Sequence, residues 1–262
     1  MPIELTRLEA LLRRDRSVTL AGLAAVTLVA WAYLVYLVWK MRAMESMDMA
    51  PAMAMPQLQS WGAVEFLLLF VMWTVMMVAM MVPSVAPLIL MFARANRQKG
   101  SGSVVGSAAI LLLGYLLVWT GYSGLAALAQ WRLHNAALLS PLMASTSSLL
   151  SGFLLVAAGI FQFTPLKRAC LVRCRSPVGF LMSEWREGRW GTLVMGLKHG
   201  GYCVGCCWIL MALLLVAGVM NLLWVAAIAV FVLVEKAARK GEGLGRITGA
   251  ALIAAGVGLI VS

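Results

Sequence analysis

Apolar and polar positions in this chain fall in blocks, not at the alternating spacing of a half-buried strand or the 3.6-residue spacing of an amphipathic helix. Long apolar runs occupy residues 18–39, 62–92, 104–130, 149–164, 192–219, 221–234 and 247–261. A helix rises about 1.5 Å per residue, so ~20 apolar residues cross the ~30 Å hydrocarbon core of a bilayer. The pattern predicts an all-α, polytopic transmembrane helix bundle of seven spans, built as one integral membrane domain over residues 1–262. The fourth and sixth runs are short enough for one of them to be re-entrant or tucked inside the bundle. The first run follows Arg7, Arg13, Arg14 and Arg16, yet it exceeds the ~7–15 apolar residues of a signal peptide and leads straight into Trp39 and Lys40. It is read as a retained first helix.

Composition agrees. Of the 262 residues 63% are hydrophobic and 12% charged, against roughly 45–50% and 25% in a soluble domain. The net charge of +11 would suggest a nucleic-acid partner in a soluble protein, but here Lys and Arg flank the apolar runs, which is the orientation signal of a membrane protein. With the N-terminus in the cytoplasm, Arg94, Arg97, Lys99, the basic residues of the 165–190 loop, Lys236, Arg239, Lys240 and Arg246 all face inward. Lys40, Arg42 and Arg132 face out. The expected topology is therefore N-in, C-out in a bacterial inner membrane, with a lipid bilayer as partner and no nucleic acid. The longest loops, 40–61 outside and 165–190 inside, are too short to carry a core of their own. No Gly-rich phosphate loop, Walker lysine or nucleophile elbow occurs, so catalysis is not expected.

The candidate chemistry is soft. In KHGGYCVGCCW, steps of three and four residues place His199, Cys203, Cys206 and Cys207 on one helical face. Imidazole and thiolate together suit copper(I) or zinc, and thiolates favour the softer ion. One cysteine is readily explained as a small hydrophobe, with Gly200, Gly201 and Gly205 serving close helix approach. Three within five residues, beside one of only two histidines in the chain, favour a site. Methionine forms the second group, 12 of the 18 lying between residues 41 and 91. The outer segment MRAMESMDMAPAMAM offers Met41, Met44, Met47, Met49, Met53 and Met55; thioethers bind copper(I) without deprotonation and resist oxidation to disulfide outside the cytoplasm. In the second span Met72, Met76 and Met80 recur every four residues, with Met77 and Met81 beside them, before Pro83 and Pro87 interrupt the helix. Such a stripe is ordinary packing in many helices; counting from the span ends puts Met76 and Cys203 in one middle layer, which favours a ligand face. Third, Cys170 and Cys174 lie in the basic run LKRACLVRCRSP, where nearby cations favour thiolate.

The stretches WTVMMVAMMVPSVAP, CLVRCRSPVGF, HGGYCVGCCWILM with GVMNLLWVA, and EKAARKG resemble a bacterial family of predicted metal-binding integral membrane proteins, domain of unknown function 2182. The resemblance covers most of the chain from the second span onward. Some members look like copper chaperones encoded beside a tyrosinase. That resemblance implies delivery of copper to a client cuproprotein, with Cys170, Cys174, Cys203, Cys206, Cys207 and the second-span methionines as the carried-over ligands. A membrane thiol–disulfide relay through the C-x-x-C pair Cys203 and Cys206 is the first rival. A metal permease is the second, disfavoured because the sequence offers too few intramembrane carboxylates: Glu65 and Glu235 lie near span ends, where snorkelling or interface placement explains them.

Overall fold

A computed structural model describes residues 2–46, 62–99, 103–136, 147–238 and 241–261, with side chains omitted for 2–13, 44–46 and 242. Ten helices run through these residues, and no strand occurs among them: α1 (Pro2–Ser46), α2 (Ala63–Gln98), α3 (Val104–Asn135), α4 (Ser148–Phe161), α5 (Pro165–Arg175), α6 (Pro177–Glu184), α7 (Gly188–Ala212), α8 (Leu214–Ala217), α9 (Leu222–Ala237) and α10 (Gly241–Val261). Against the seven expected spans, five helices among the described residues are long and apolar enough to cross a membrane. A sixth is reached if α4 and α5, bent by 64° at their junction, count as one. α9, with 16 residues, reaches only about 24 Å.

Packing is built outward from α2, whose Trp73, Met76, Met77, Met80, Met81, Leu88, Ile89 and Phe92 are buried. Contrary to the expectation from sequence, Pro83 and Pro87 do not interrupt this helix, which runs through them to Gln98. Pro83 lacks the N–H that would bond the Ala79 carbonyl. The Trp31 indole of α1 donates to that carbonyl instead, at 3.2 Å, so the freed acceptor is satisfied by a neighbouring helix. On the other side, Trp73 Nε1 donates to Gln130 Oε1 of α3 at 2.6 Å.

α3 and α7 pack most closely at Gly114 and Gly196: a methyl group on Gly196 would come within 3.0 Å of the Gly114 Cα and the Tyr115 backbone nitrogen. No side chain fits there. The crossing sets Tyr115 of α3 against the middle of α7. At the other edge α4 packs on α10, and added methyl groups at Gly152 and Gly159 would sit 2.8 and 2.6 Å from the carbonyls of Gly256 and Gly249.

The expected inner loop 165–190 is mostly helical. Thr164 caps α5 and Ser176 caps α6, each side chain accepting a backbone N–H, and Pro at the first turn of each helix sacrifices no hydrogen bond. The outer segment 40–61 also begins as helix, since α1 runs to Ser46 and carries Met41 and Met44. Met47, Met49, Met53 and Met55 lie outside the described residues.

Candidate metal centre

The run KHGGYCVGCCW stays helical throughout α7, and His199, Cys203, Cys206 and Cys207 are all buried. The glycines divide by role. Gly200 lies against Val118 and the Tyr115 carbonyl, Gly205 faces Cys170 Sγ, which a methyl group would meet at 2.7 Å, and Gly201 faces open space. Close approach of α3 and α5 to α7 thus depends on two of the three.

Approach at Gly205 brings the second cysteine pair to the first. Cys174 is buried and its sulfur lies 3.9 Å from Cys206 Sγ; it interacts with Cys203 as well. Cys170, one turn earlier, is half-buried, and all five thiols are free. Cys206 and Cys207 donate to the Cys203 carbonyl at 3.1 and 3.0 Å, while the Cys203 sulfur takes polar contacts from two other helices. Tyr115 Oη is 3.0 Å from it, and the Lys236 ammonium of α9 donates to it at 2.9 Å. Lys236 also donates to Ser84 Oγ at 3.2 Å, and Tyr115 Oη donates to the Met81 carbonyl at 3.3 Å.

His199 belongs to the same stripe, but its surroundings are aromatic. The Phe180 ring of α6 meets it edge-on at 4.9 Å and the Tyr115 ring lies at 6.0 Å. Its Nδ1 is buried without a hydrogen-bond partner. α6 is held there by Lys198, which donates to Glu184 at 2.5 Å; that hydrogen bond holds the Glu184 carboxyl below its usual range.

Met72, Met76 and Met80 are buried; α2 packs chiefly on α1 and α3, and α7 on α3 and α5. Tyr115 and Lys236 link Cys203 to α2 at Ser84, two turns beyond Met76, so Met80 and Met81 are the second-span methionines nearest that link along the helix. Among the described residues, no group of three or more His, Cys, Asp or Glu side chains is already drawn together as a metal cage. What stands ready is a pair of close thiols with two further thiols on the same helical face.

Tyr115 and Ser84 carry no signal in the sequence, and Lys236 counts there only as an inward charge. Glu235 does not snorkel: its side chain is buried and paired with Lys167 at 2.6 Å. One signal was available. Neighbouring residues on a helix point about 100° apart, so the adjacent Glu235 and Lys236 at the end of an apolar run have to find separate partners.

Residues 70–259 match the family model described as PpoB2, copper chaperone. No curated protein and no solved structure matches the chain.

Proposed function

The chain belongs to the PpoB2 copper chaperone family, and on that footing we propose that it is an integral membrane protein that holds copper(I) on its thiols and hands it to a copper-requiring client. The observation that carries this reading is the meeting of Cys174 from α5 with Cys206 on α7, 3.9 Å apart beside Cys203 and Cys207. Two sulfurs bound to one ion at ~2.3 Å each lie no more than ~4.6 Å apart, so the pair needs no helix movement to share an ion. Thiolates select a soft monovalent ion; zinc would use the same sulfurs and is the second metal choice. Half-buried Cys170, one turn from Cys174, is the entry or exit ligand, and His199, with an unpartnered Nδ1, is a reserve donor. The Met-rich 40–61 segment collects the ion outside, and Met80 is the stripe member next along α2 to Ser84, which Lys236 links to Cys203. No turnover is involved.

In this reading the N-terminus is cytoplasmic and the C-terminus external, in a bacterial inner membrane. An odd number of crossings is then required, which the five long helices make together with the bent α4 segment and the short α9. A permease asks for free intramembrane carboxylates, and Glu235 is committed to Lys167.

Replacing Cys203, Cys206 and Cys207 together by Ser tests the proposal, since Ser matches the volume but is a poor ligand for a soft ion. Copper(I) titration of the purified protein against a competing chelator should show most high-affinity binding lost with membrane insertion intact; unchanged affinity at matched protein level would leave the cysteines as packing. The 3.9 Å sulfur pair also favours a thiol–disulfide relay, which requires Cys174 and Cys206 to cycle between oxidised and reduced forms in cells. Alkylation mapping that found both permanently reduced would remove it.

A further inference from the structure

The last turn of α9 makes three attachments to the helices that carry the cysteines. Glu235 accepts from Lys167 Nζ of α5 at 2.6 Å, with side chains only 2% and 3% exposed. Lys236 reaches Cys203 of α7 at 2.9 Å. The carbonyl of Ala238, just past the helix, accepts from the Arg175 guanidinium at the far end of α5. α5 is therefore tied at both ends to one turn of α9, and that turn also touches the thiol stripe of α7. Lys167, Leu171 and Cys174 make up the buried face of α5, four and three residues apart and so in one line. Whatever fixes Lys167 fixes the rotation and depth of Cys174. Gln162, at the α4–α5 bend, accepts a further hydrogen bond from Lys167. Gly245 of α10 closes over the pair, where a methyl group would lie 2.5 Å from Glu235 Oε1.

Stability does not account for such a pair, because a buried ion pair can often be exchanged for apolar residues without loss. Geometry does. A cavity of about 170 Å³ lined by Gln162, Lys167, Leu171 and Glu235 lies alongside, giving α5 room to turn once the ionic tie is gone.

We propose that Lys167 and Glu235 are positioning residues of the thiol centre: their ion pair sets α5 in the register that presents Cys174 to Cys206. Its biological purpose rests on the copper reading; its test does not, because sulfur proximity is read directly. The full-length protein in detergent is treated with diamide, which takes two electrons and two protons from a pair of close thiols. Peptide mapping then reports how fast Cys174 becomes joined to the 203–207 segment. K167M/E235L removes both charges without leaving an orphan and should slow the joining by about tenfold or more at unchanged melting temperature. The exchanged pair K167E/E235K should restore it, since the Gln162 amide can turn to donate to a carboxylate. E235Q supplies a second disrupted variant should the apolar one not fold. Copper(I) retention should follow the same order. Joining at the wild-type rate in either folded, disrupted variant would overturn the proposal. Absence of copper from every protein, with the order of joining rates preserved, would instead overturn the copper reading and leave the positioning role standing.

Discussion

Lys236 Nζ stands 2.9 Å from Cys203 Sγ, a cation from α9 bonded to a sulfur in the middle of α7. Two thiolates around a monovalent ion carry one net negative charge, and in a low-dielectric interior such a charge needs a counter-charge nearby. K236M keeps most of the side-chain bulk and removes the ammonium. A hydrogen bond to a charged group contributes ~1.5–3 kcal/mol, so copper(I) affinity should fall about 10- to 100-fold. Chelator competition checks this; affinity equal to wild type would relegate Lys236 to a packing role.

At the α3–α7 crossing, G196A drives a methyl group into the backbone of α3. Overpacking of this kind costs ~1–3 kcal/mol or more, and the crossing also sets Tyr115 against Cys203. The variant should aggregate at a lower temperature in detergent and lose copper more readily. G201A is the control, because nothing lies within 4 Å of its added methyl; equal behaviour of the two would refute the crossing as the tightest point of the bundle.

W31F leaves the Ala79 carbonyl without the indole that replaces the missing Pro83 N–H. An unsatisfied buried acceptor costs ~1–3 kcal/mol. In a P83A background the helix supplies its own donor, so the same Trp31 change should cost less than in wild type. Thermal unfolding of the four proteins measures this coupling. Strict additivity would show that the indole bond and the proline are independent.

The proposed N-in, C-out topology rests on the distribution of Lys and Arg. Reporter fusions after Pro56 and after Pro177 should report opposite compartments, outside and cytoplasm respectively. The same compartment from both would break the N-in, C-out arrangement.

The sequence pattern was sufficient for the helical class, the long apolar helices and the burial of His199, Cys203, Cys206 and Cys207 on one face, because each depends on spacing within a single segment. Contacts between segments were less legible. The Cys174–Cys206 meeting depends on Gly205 clearing space for α5, and the glycine spacing alone does not say which helix comes close. Pro83 looks like an interruption in the sequence because the compensating donor, Trp31, lies on a different helix. Lys167 and Glu235 resembled interface charges until their partners were known, and pairing is what makes burial tolerable. Counting residues from span ends gives depth along a helix, whereas the neighbours that α2 packs on, chiefly α1 and α3, decide which residues its methionines meet.

The glycine-lined contact between α4 and α10 has a consequence for the order in which the molecule is made. α4 ends at Phe161 and its principal neighbour begins only at Gly241, so α4 leaves the ribosome long before the surface that covers it exists. Contacts between sequence-distant segments form late, and uncovered intermediates are the ones that misassemble. While the intervening helices are synthesised, the small-residue face of α4 must remain against lipid or against a temporary companion. Substitutions that enlarge Gly256, which lies against Gly152 and Val156, should therefore act during biogenesis, appearing as reduced yield and protease-sensitive chains, with the thiol chemistry of the molecules that do mature left intact.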